Sequence, residues 1–408
     1  MKIRYFVIIL LFFGCNNQSS INIRYNDPQL WDEPINDYLQ VGEKKYGNDF
    51  DKRIGALSVY KDKLWIGYGD TRVNMGSIMP IEFRKYDNPE SPQISSALVL
   101  ADNQGAKQRT PTDTGEERII PFNQFKGQLW QAGYDSNNDD ELWTQALPGP
   151  ERLIQGNIFL LKNDKDEPVW EKRRNIPGGE HVHDLAYFSG SVYAVGSGAA
   201  NRREWEETSI YRYLWKSDDM GKTFSVYHRS RYRMGDGDTR YRALLPINNK
   251  LYVFGYINPS DDNLPMEGRH LVISNDKMSN LEGVMKSVVV WKTWPLNDNL
   301  GLAIGNVGPG VSRTFQIDKN GPIELTNWSD IRIIYISPGE TKGFWLVLAG
   351  DGSENETFKV YRFSETSINN LSPVLNLHEN VFSSISLWHQ DLYIGSSDGK
   401  LFKANRIK

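Results

Sequence analysis

Cysteine is almost absent: Cys15 is the only one in 408 residues, so no internal disulfide can form and the fold must hold by packing. Long hydrophobic runs are missing too. The longest, residues 5–13, is nine residues, about half of the roughly 20 that a membrane-spanning helix needs. Neither sign of charge prevails, with 47 Lys and Arg against 51 Asp and Glu for a net of −4. That balance excludes a generic polyelectrolyte binder and gives no expectation of a nucleic-acid partner. Histidine is scarce, at six, and no HExxH or paired-cysteine pattern accompanies it, so neither a metal nor a cofactor is expected. No amphipathic pattern runs long enough for a helix of more than a turn or two. What the chain does have is 12 Trp, 20 Tyr and 35 Gly, which suit an all-β fold of short strands and tight turns.

Residues 1–14 read as a targeting segment. Lys2 and Arg4 give a positive start, the apolar run follows, and Gly14 precedes Cys15 and the polar stretch Asn16, Asn17, Gln18, Ser19 and Ser20. This pattern resembles a bacterial lipoprotein signal, with Phe12 and Phe13 standing where that family usually has a leucine and a small residue. The resemblance implies cleavage before Cys15, acylation of that residue, and a lipid bilayer as a partner through the acyl chains. Asn16 stands where an aspartate would resemble an inner-membrane retention signal. By analogy the address is the cell envelope, at the outer membrane of a Gram-negative host.

Beyond a polar lead-in, one pattern recurs: an apolar strand, a short polar turn, then a second apolar strand ending near glycine. The first copy is IGALSVYKDKLWIG at 54–67, and others begin at 119, 181, 241, 291, 331 and 381. The first apolar residues of the second strands are Leu64, Leu129, Val192, Leu251, Leu300, Phe344 and Leu392, spaced by 44 to 65 residues. That spacing holds a four-stranded sheet plus loops, with further strands expected near 210–216, 223–228 and 358–363. Such a sheet cannot bury both faces alone, and seven stacked radially close a ring. The expectation is a seven-bladed β-propeller over 51–408. Residues 15–50 would serve as anchor, tether and closing strand, because the last unit supplies at most three strands. A pair of β-sandwiches would need a central linker, and no Pro-, Gly- or Ser-rich stretch provides one.

Residues 217–224, SDDMGKTF, fit the pattern S-x-D-x-G-x-T-[WF] through Ser217, Asp219, Gly221, Thr223 and Phe224. Asp and Ser accept backbone N–H groups in such a turn while glycine takes a positive φ. The chain therefore resembles the Asp-box, sialidase-like β-propellers, in which the box is a structural turn away from the active face. Ser274, Asn275 and Asp276 form a degenerate second copy. A sialidase itself fits poorly, since the FRIP-like segment is missing and only one box is well formed.

Eleven residues before the first four anchors stand Arg53, Arg118, His181 and Arg240, with Arg332 one position out of phase in unit six. An acid lies two before each arginine: Asp51, Glu116, Asp238 and Asp330. Each Asp/Glu-x-Arg is either a local brace or a means of aiming a guanidinium into the central pit, where several would bind a carboxylate or sulfate. Trp65, Trp130, Tyr241, Trp291 and Trp294 are core residues by default and sugar-stacking surfaces otherwise. His181 and His183 share a strand face; Asp184 beside them would make a metal site only with a ligand from elsewhere. The stretch at 135–141 lacks the glycine and final acid of a calcium loop and reads as solvated.

Two functions fit these residues. One is a lipid-anchored propeller that binds a glycan, above all an anionic polysaccharide, or a protein. The alternative is a glycan-active enzyme, foremost a polysaccharide lyase on uronate, with His181, His183 and Tyr241 as catalytic candidates and arginine neutralising the carboxylate. The anchor is testable alone: Cys15→Ala should move the protein from the membrane pellet to the soluble fraction after cell fractionation. Equal retention in the pellet would remove the lipoprotein reading.

Overall fold

Alternating apolar residues and two-residue turns fold each repeat into an antiparallel meander, and seven such sheets stand in a ring. The computed structural model describes residues 23–101, 108–136, 153–163, 167–207, 210–231, 238–258, 267–286, 288–308, 311–353, 356–378 and 381–407. The signal-like segment 1–14 and Cys15 lie outside the described residues. Blade 1 comprises Ala56–Tyr60, Lys63–Gly67, Arg84–Tyr86 and Ile94–Ser96. Blade 3 comprises His181–Phe188, Ser191–Gly198, Tyr211–Ser217 and Ser225–Arg231. The inner strands of blades 2, 4, 5 and 6 are Phe122–Phe125, Asp238–Ile247, Val289–Asn297 and Arg332–Pro338. Blade 2 adds an outer strand, Leu98–Ala101, parallel to Pro168–Pro177. The architecture is the expected all-β, seven-bladed propeller.

Blade 7 closes the ring as expected. Its three C-terminal strands, Phe382–Trp388, Asp391–Ser396 and Leu401–Ala404, are completed by Gln29–Asp32, antiparallel to Leu401–Ala404. The lead-in also holds a helix, Asn36–Tyr46, that contradicts the expectation of none beyond a turn or two. Its apolar signal is thin because only Tyr38 and Gly42, four apart, are buried. Tyr38 packs edge-on against Phe50 and Tyr68 and donates to the Asp51 carbonyl at 2.7 Å.

The core is distributed around the ring. Separate apolar clusters fill the spaces between neighbouring blades, such as Trp130, Ile158, Val182 and Trp215 between blades 2 and 3. The turns from inner to second strand carry positive φ at both central residues in Lys61–Asp62, Ser189–Gly190, Asn248–Asn249 and His389–Gln390. This geometry matches the strand twist of a tight hairpin. Five inner strands carry a β-bulge at one equivalent place, where His183, Arg242, Trp291, Ile334 and Ser383 have no opposing residue.

In blades 3, 4 and 5 the glycine that ends the repeat acts at the same level. Opposite the bulge, a Cβ on Gly255 or Gly305 would lie 2.7 or 2.6 Å from the carbonyl oxygen of Arg240 or Val289, and one on Gly196 would run into that of His181. Glycine is thus required for the inner hairpin to close up. Gly196→Ala should cost about 1–3 kcal/mol, the usual penalty of overpacking. A urea midpoint unchanged from the parent at constant m would contradict that close approach.

Candidate functional site

Inner strands begin at one rim of the ring, so their first residues surround one mouth of the central channel. Normal alternation would send the first and third residues inward, and the bulge slips the phase so that the fourth can face inward too. Arg53 and Arg118 lead into the inner strands of blades 1 and 2, His181 opens that of blade 3, and Arg240 holds the equivalent place in blade 4, eleven residues before its anchor. The bulge two residues further on supplies His183, Arg242 and Trp291, and the residue after it in blade 5 is Lys292. Arg242 and Lys292 went unnoticed in the sequence because a fixed count of eleven samples only the first position.

These groups meet around Tyr134, which follows the second strand of blade 2. The Arg118 and Arg242 guanidinium carbons lie 5.8 and 5.5 Å from its ring centroid, and the His183 ring packs edge-on at 4.9 Å. One ligand can therefore reach both arginines. Arg242 also lies 5.6 Å from the Trp291 ring. Lys292 donates to the Ile334 carbonyl at 3.2 Å and sits 5.2 Å over Tyr335. Below them the Tyr335 hydroxyl reaches the Leu57 carbonyl at 3.1 Å, a bridge from blade 6 to blade 1 that forms the floor.

The Asp/Glu-x-Arg brace holds in blade 1 alone of the pairs whose side chains are described. Asp51 binds Arg53 at 2.6 Å and also receives Arg118 from blade 2 at 3.1 Å. Glu116 instead accepts from Asn157 and the Asp135 N–H. Arg332 is held by Glu356, not Asp330. The Asp238 side chain lies outside the described residues. Asp135 belongs to the pit, 3.3 Å from His181, and the stretch after Ser136 is not described. Asp184 is committed to Asn123 of blade 2 and the Leu244 N–H of blade 4, at 2.7 and 2.8 Å.

The electrostatics are lopsided toward cation. Desolvation within the channel, then the charges of Arg53, Arg118 and Arg242, push the Lys292 ammonium down to about 7, although the residue is exposed to solvent at the mouth. Burial, reinforced by Arg53 and Arg242, holds Arg118 below its ordinary value despite Asp51. Burial likewise opposes charge on His181, but Asp135 and Glu180 outweigh it and raise its pKa. His183 is only 2% exposed, and burial followed by Arg242, Arg240 and His181 keeps it well below the ordinary value. Neither of its ring nitrogens has a hydrogen-bond partner, and the buried Arg118 Nε and Trp291 Nε1 lack one as well.

No family model matches the sequence, and no curated protein matches it. Among solved structures the chain is similar to the β-propeller domain of the Trilobed protease from Pyrococcus furiosus. Identity is 8% over 88% of this chain and 98% of that one, with a TM-score of 0.47. It is also similar to a puromycin-hydrolyzing peptidase of Mycobacterium tuberculosis, at 10% identity, 91% and 52% coverage and a TM-score of 0.49. A Trypanosoma rangeli sialidase matches at 12%, over 76% of this chain and 56% of its own, with a TM-score of 0.43. The likeness is one of fold alone.

Other expected site residues lie elsewhere. Tyr241 is 1% exposed, 5.1 Å from Arg212, and faces the gap between blades 3 and 4 rather than the channel. Trp65 and Trp130 are fully buried between blades. The turn at 217–224 joins the third and fourth strands of blade 3, at the end opposite the pit. There Asp219 accepts from Ser217 Oγ, Thr223 N and Thr223 Oγ1 at 2.8, 2.9 and 2.6 Å, and the Thr223 bond leads in drawing its carboxyl down to about 2. Ser274 precedes a tighter two-residue hairpin through Asn275 and Asp276.

The two pit histidines should titrate in opposite directions from the ordinary value near 6.5. The His181–Asp135 pair contributes stability fully below that value and loses it as pH rises through the raised His181 pKa. The neutral His183 costs nothing above pH 6.5 or so, and its resistance to protonation destabilises the fold as pH falls below. Histidine C–H resonances followed across this range should show the split, and coincident midpoints would contradict it.

Proposed function

We propose that this protein is a membrane-anchored bacterial lipoprotein whose propeller binds an anionic glycan in the central pit. The observation that carries the reading is the convergence of Arg53, Arg118, Arg242 and Lys292 from four blades, with Asp51 as the only acid in salt contact with any of them among the described residues. A carboxylate or sulfate would supply the missing counter-charge through charge-assisted bonds. The two His183 ring nitrogens, Arg118 Nε and Trp291 Nε1 offer four further unpartnered nitrogens. Tyr134 and Trp291 give the pit aromatic walls suited to a sugar ring. A uronate- or sulfate-bearing polysaccharide combines all these features, and acylated Cys15 would hold the pit at the cell envelope.

The lyase alternative keeps one specific support: His183 is an uncharged imidazole beside Arg240 and Arg242, an arrangement able to take a proton next to a neutralised carboxylate. Tyr241 stands outside that arrangement.

Calorimetric titration with alginate, heparin and neutral dextran tests the proposal. The two anionic polymers should bind and dextran should not. Arg242→Ala should weaken binding roughly tenfold to a hundredfold, the worth of one charged hydrogen bond, while Arg332→Ala should leave it unchanged. Affinity should also fall as pH rises through 7, because Lys292 loses its proton there, and Lys292→Gln should flatten that slope. Equal binding by the Arg242→Ala variant would sink the pit as the site. Growth of unsaturated-uronate absorbance, abolished by His183→Ala, would establish the lyase instead.

A further inference from the structure

The gap between blades 3 and 4 holds another cation without a counter-charge. Arg212, on the third strand of blade 3, lays its guanidinium 5.1 Å from the Tyr241 ring centroid and donates through Nε to Ser230 Oγ. Its Nη1 is buried and has no partner. The charged residue that acts on it most is Arg269, also positive, and no described carboxylate is paired with it. Glu267 is spent on Arg269 at 2.7 Å. A partly buried guanidinium left this way is costly unless something anionic joins it.

Space for such a group is present. Two adjoining cavities of about 90 and 380 Å³ share Arg212, Tyr241, Leu271 and Asn280 in their walls. The larger lies within the range of small-molecule sites, which run to roughly 300–1,000 Å³. Its far side is apolar through Leu271 and Met278, and His228 borders it beside Tyr241. Arg269 and Lys286 line the smaller cavity together with Glu282, and both cations are exposed.

We propose that this lateral cleft is a second binding site, separate from the central pit, for a small organic carboxylate. The carboxylate would accept from Arg212 Nη1, with Arg269 and Lys286 attracting it at the mouth and the carbon skeleton lying against Leu271 and Met278. A free organic acid and the terminal uronate of a glycan present the same chemistry. This inference does not depend on the function of the pit.

The test uses the full chain carrying Arg118→Ala and Arg242→Ala, so that failure of the pit and failure of the cleft are read separately. Benzoate, glucuronate, methyl glucoside and inorganic phosphate are titrated by calorimetry, with the His228 ring resonances as a local reporter. Saturable binding of benzoate or glucuronate that shifts His228 is expected, with no response to methyl glucoside and a weaker one to phosphate. Benzoate alone would identify a free acid, and glucuronate alone a glycan terminus. Arg212→Lys keeps the charge but loses the fork and should cut affinity tenfold or more. Arg269→Gln with Lys286→Gln, both on the surface, should weaken binding without touching the fold. No shift of His228 with either carboxylate, phosphate binding as tightly as they do, or parental affinity in both variants would overturn the proposal.

Discussion

A ring of sheets has no edge to leave open, and here closure falls on one strand of four residues. Gln29–Asp32 pairs with Leu401–Ala404, and Trp31 wedges between Tyr86 of blade 1 and Trp388 and Tyr393 of blade 7 at centroid distances of 4.5, 6.4 and 5.0 Å. The helix that follows repeats the clamp: Asp37 receives both terminal nitrogens of the buried Arg84 at 2.6 Å. Around the inner circumference, Ser383 and Ser384 both donate to the Ile54 carbonyl at 2.7 Å. With no disulfide available, these contacts and the apolar clusters between blades fix how closely seven inner strands converge. That convergence in turn determines what the channel contains.

The pit follows from a backbone device. Packing an inner hairpin tightly needs a glycine on the second strand, and the bulge opposite it leaves one residue without a partner in the ladder. That residue, freed from the blade surface, becomes His183 in blade 3, Arg242 in blade 4 and Trp291 in blade 5. The next residue in blade 5 is Lys292, and in blade 6 it is Tyr335, which spans the channel. One structural need of the blade thus places chemistry at the mouth and a plug beneath it.

This explains which parts were legible in the sequence. The glycine that ends the repeats was visible, in blades 3, 4 and 5 because close approach leaves no room for a side chain there, so blade number and closure could be read from spacing. Arg53, Arg118, His181 and Arg240 were visible because first positions keep a constant distance from the anchors. Tyr134 and Asp135 were not, since they sit on a loop whose path no periodicity fixes. Arg242 was hidden by the bulge, which shifts the phase without altering the count. Tyr241 was named as a catalytic candidate for its hydroxyl, yet neighbours on a strand point to opposite faces, and it faces the cleft beside Arg212. The helix was hidden because a two-residue buried face carries no stripe.

The net charge of −4 conceals how unevenly charge is satisfied. Away from the channel, arginines are paired close to home: Arg84 with Asp37, Arg109 with Asp113 and Arg362 with Glu340. In the pit one aspartate is shared by Arg53 and Arg118, and no described acid is in salt contact with Arg242 or Lys292. Mutual repulsion opposes folding, and it is strongest where water is partly excluded. A chain with 51 acidic residues has ample means to relieve it by placing one more acid at the rim. Stability is given up here through the identity of a few side chains, because the blade geometry would accept neutral ones at the same positions, as Ile334 and Ser383 show in blades 6 and 7. A cost that the fold does not impose is the physical ground on which the proposed anion site rests.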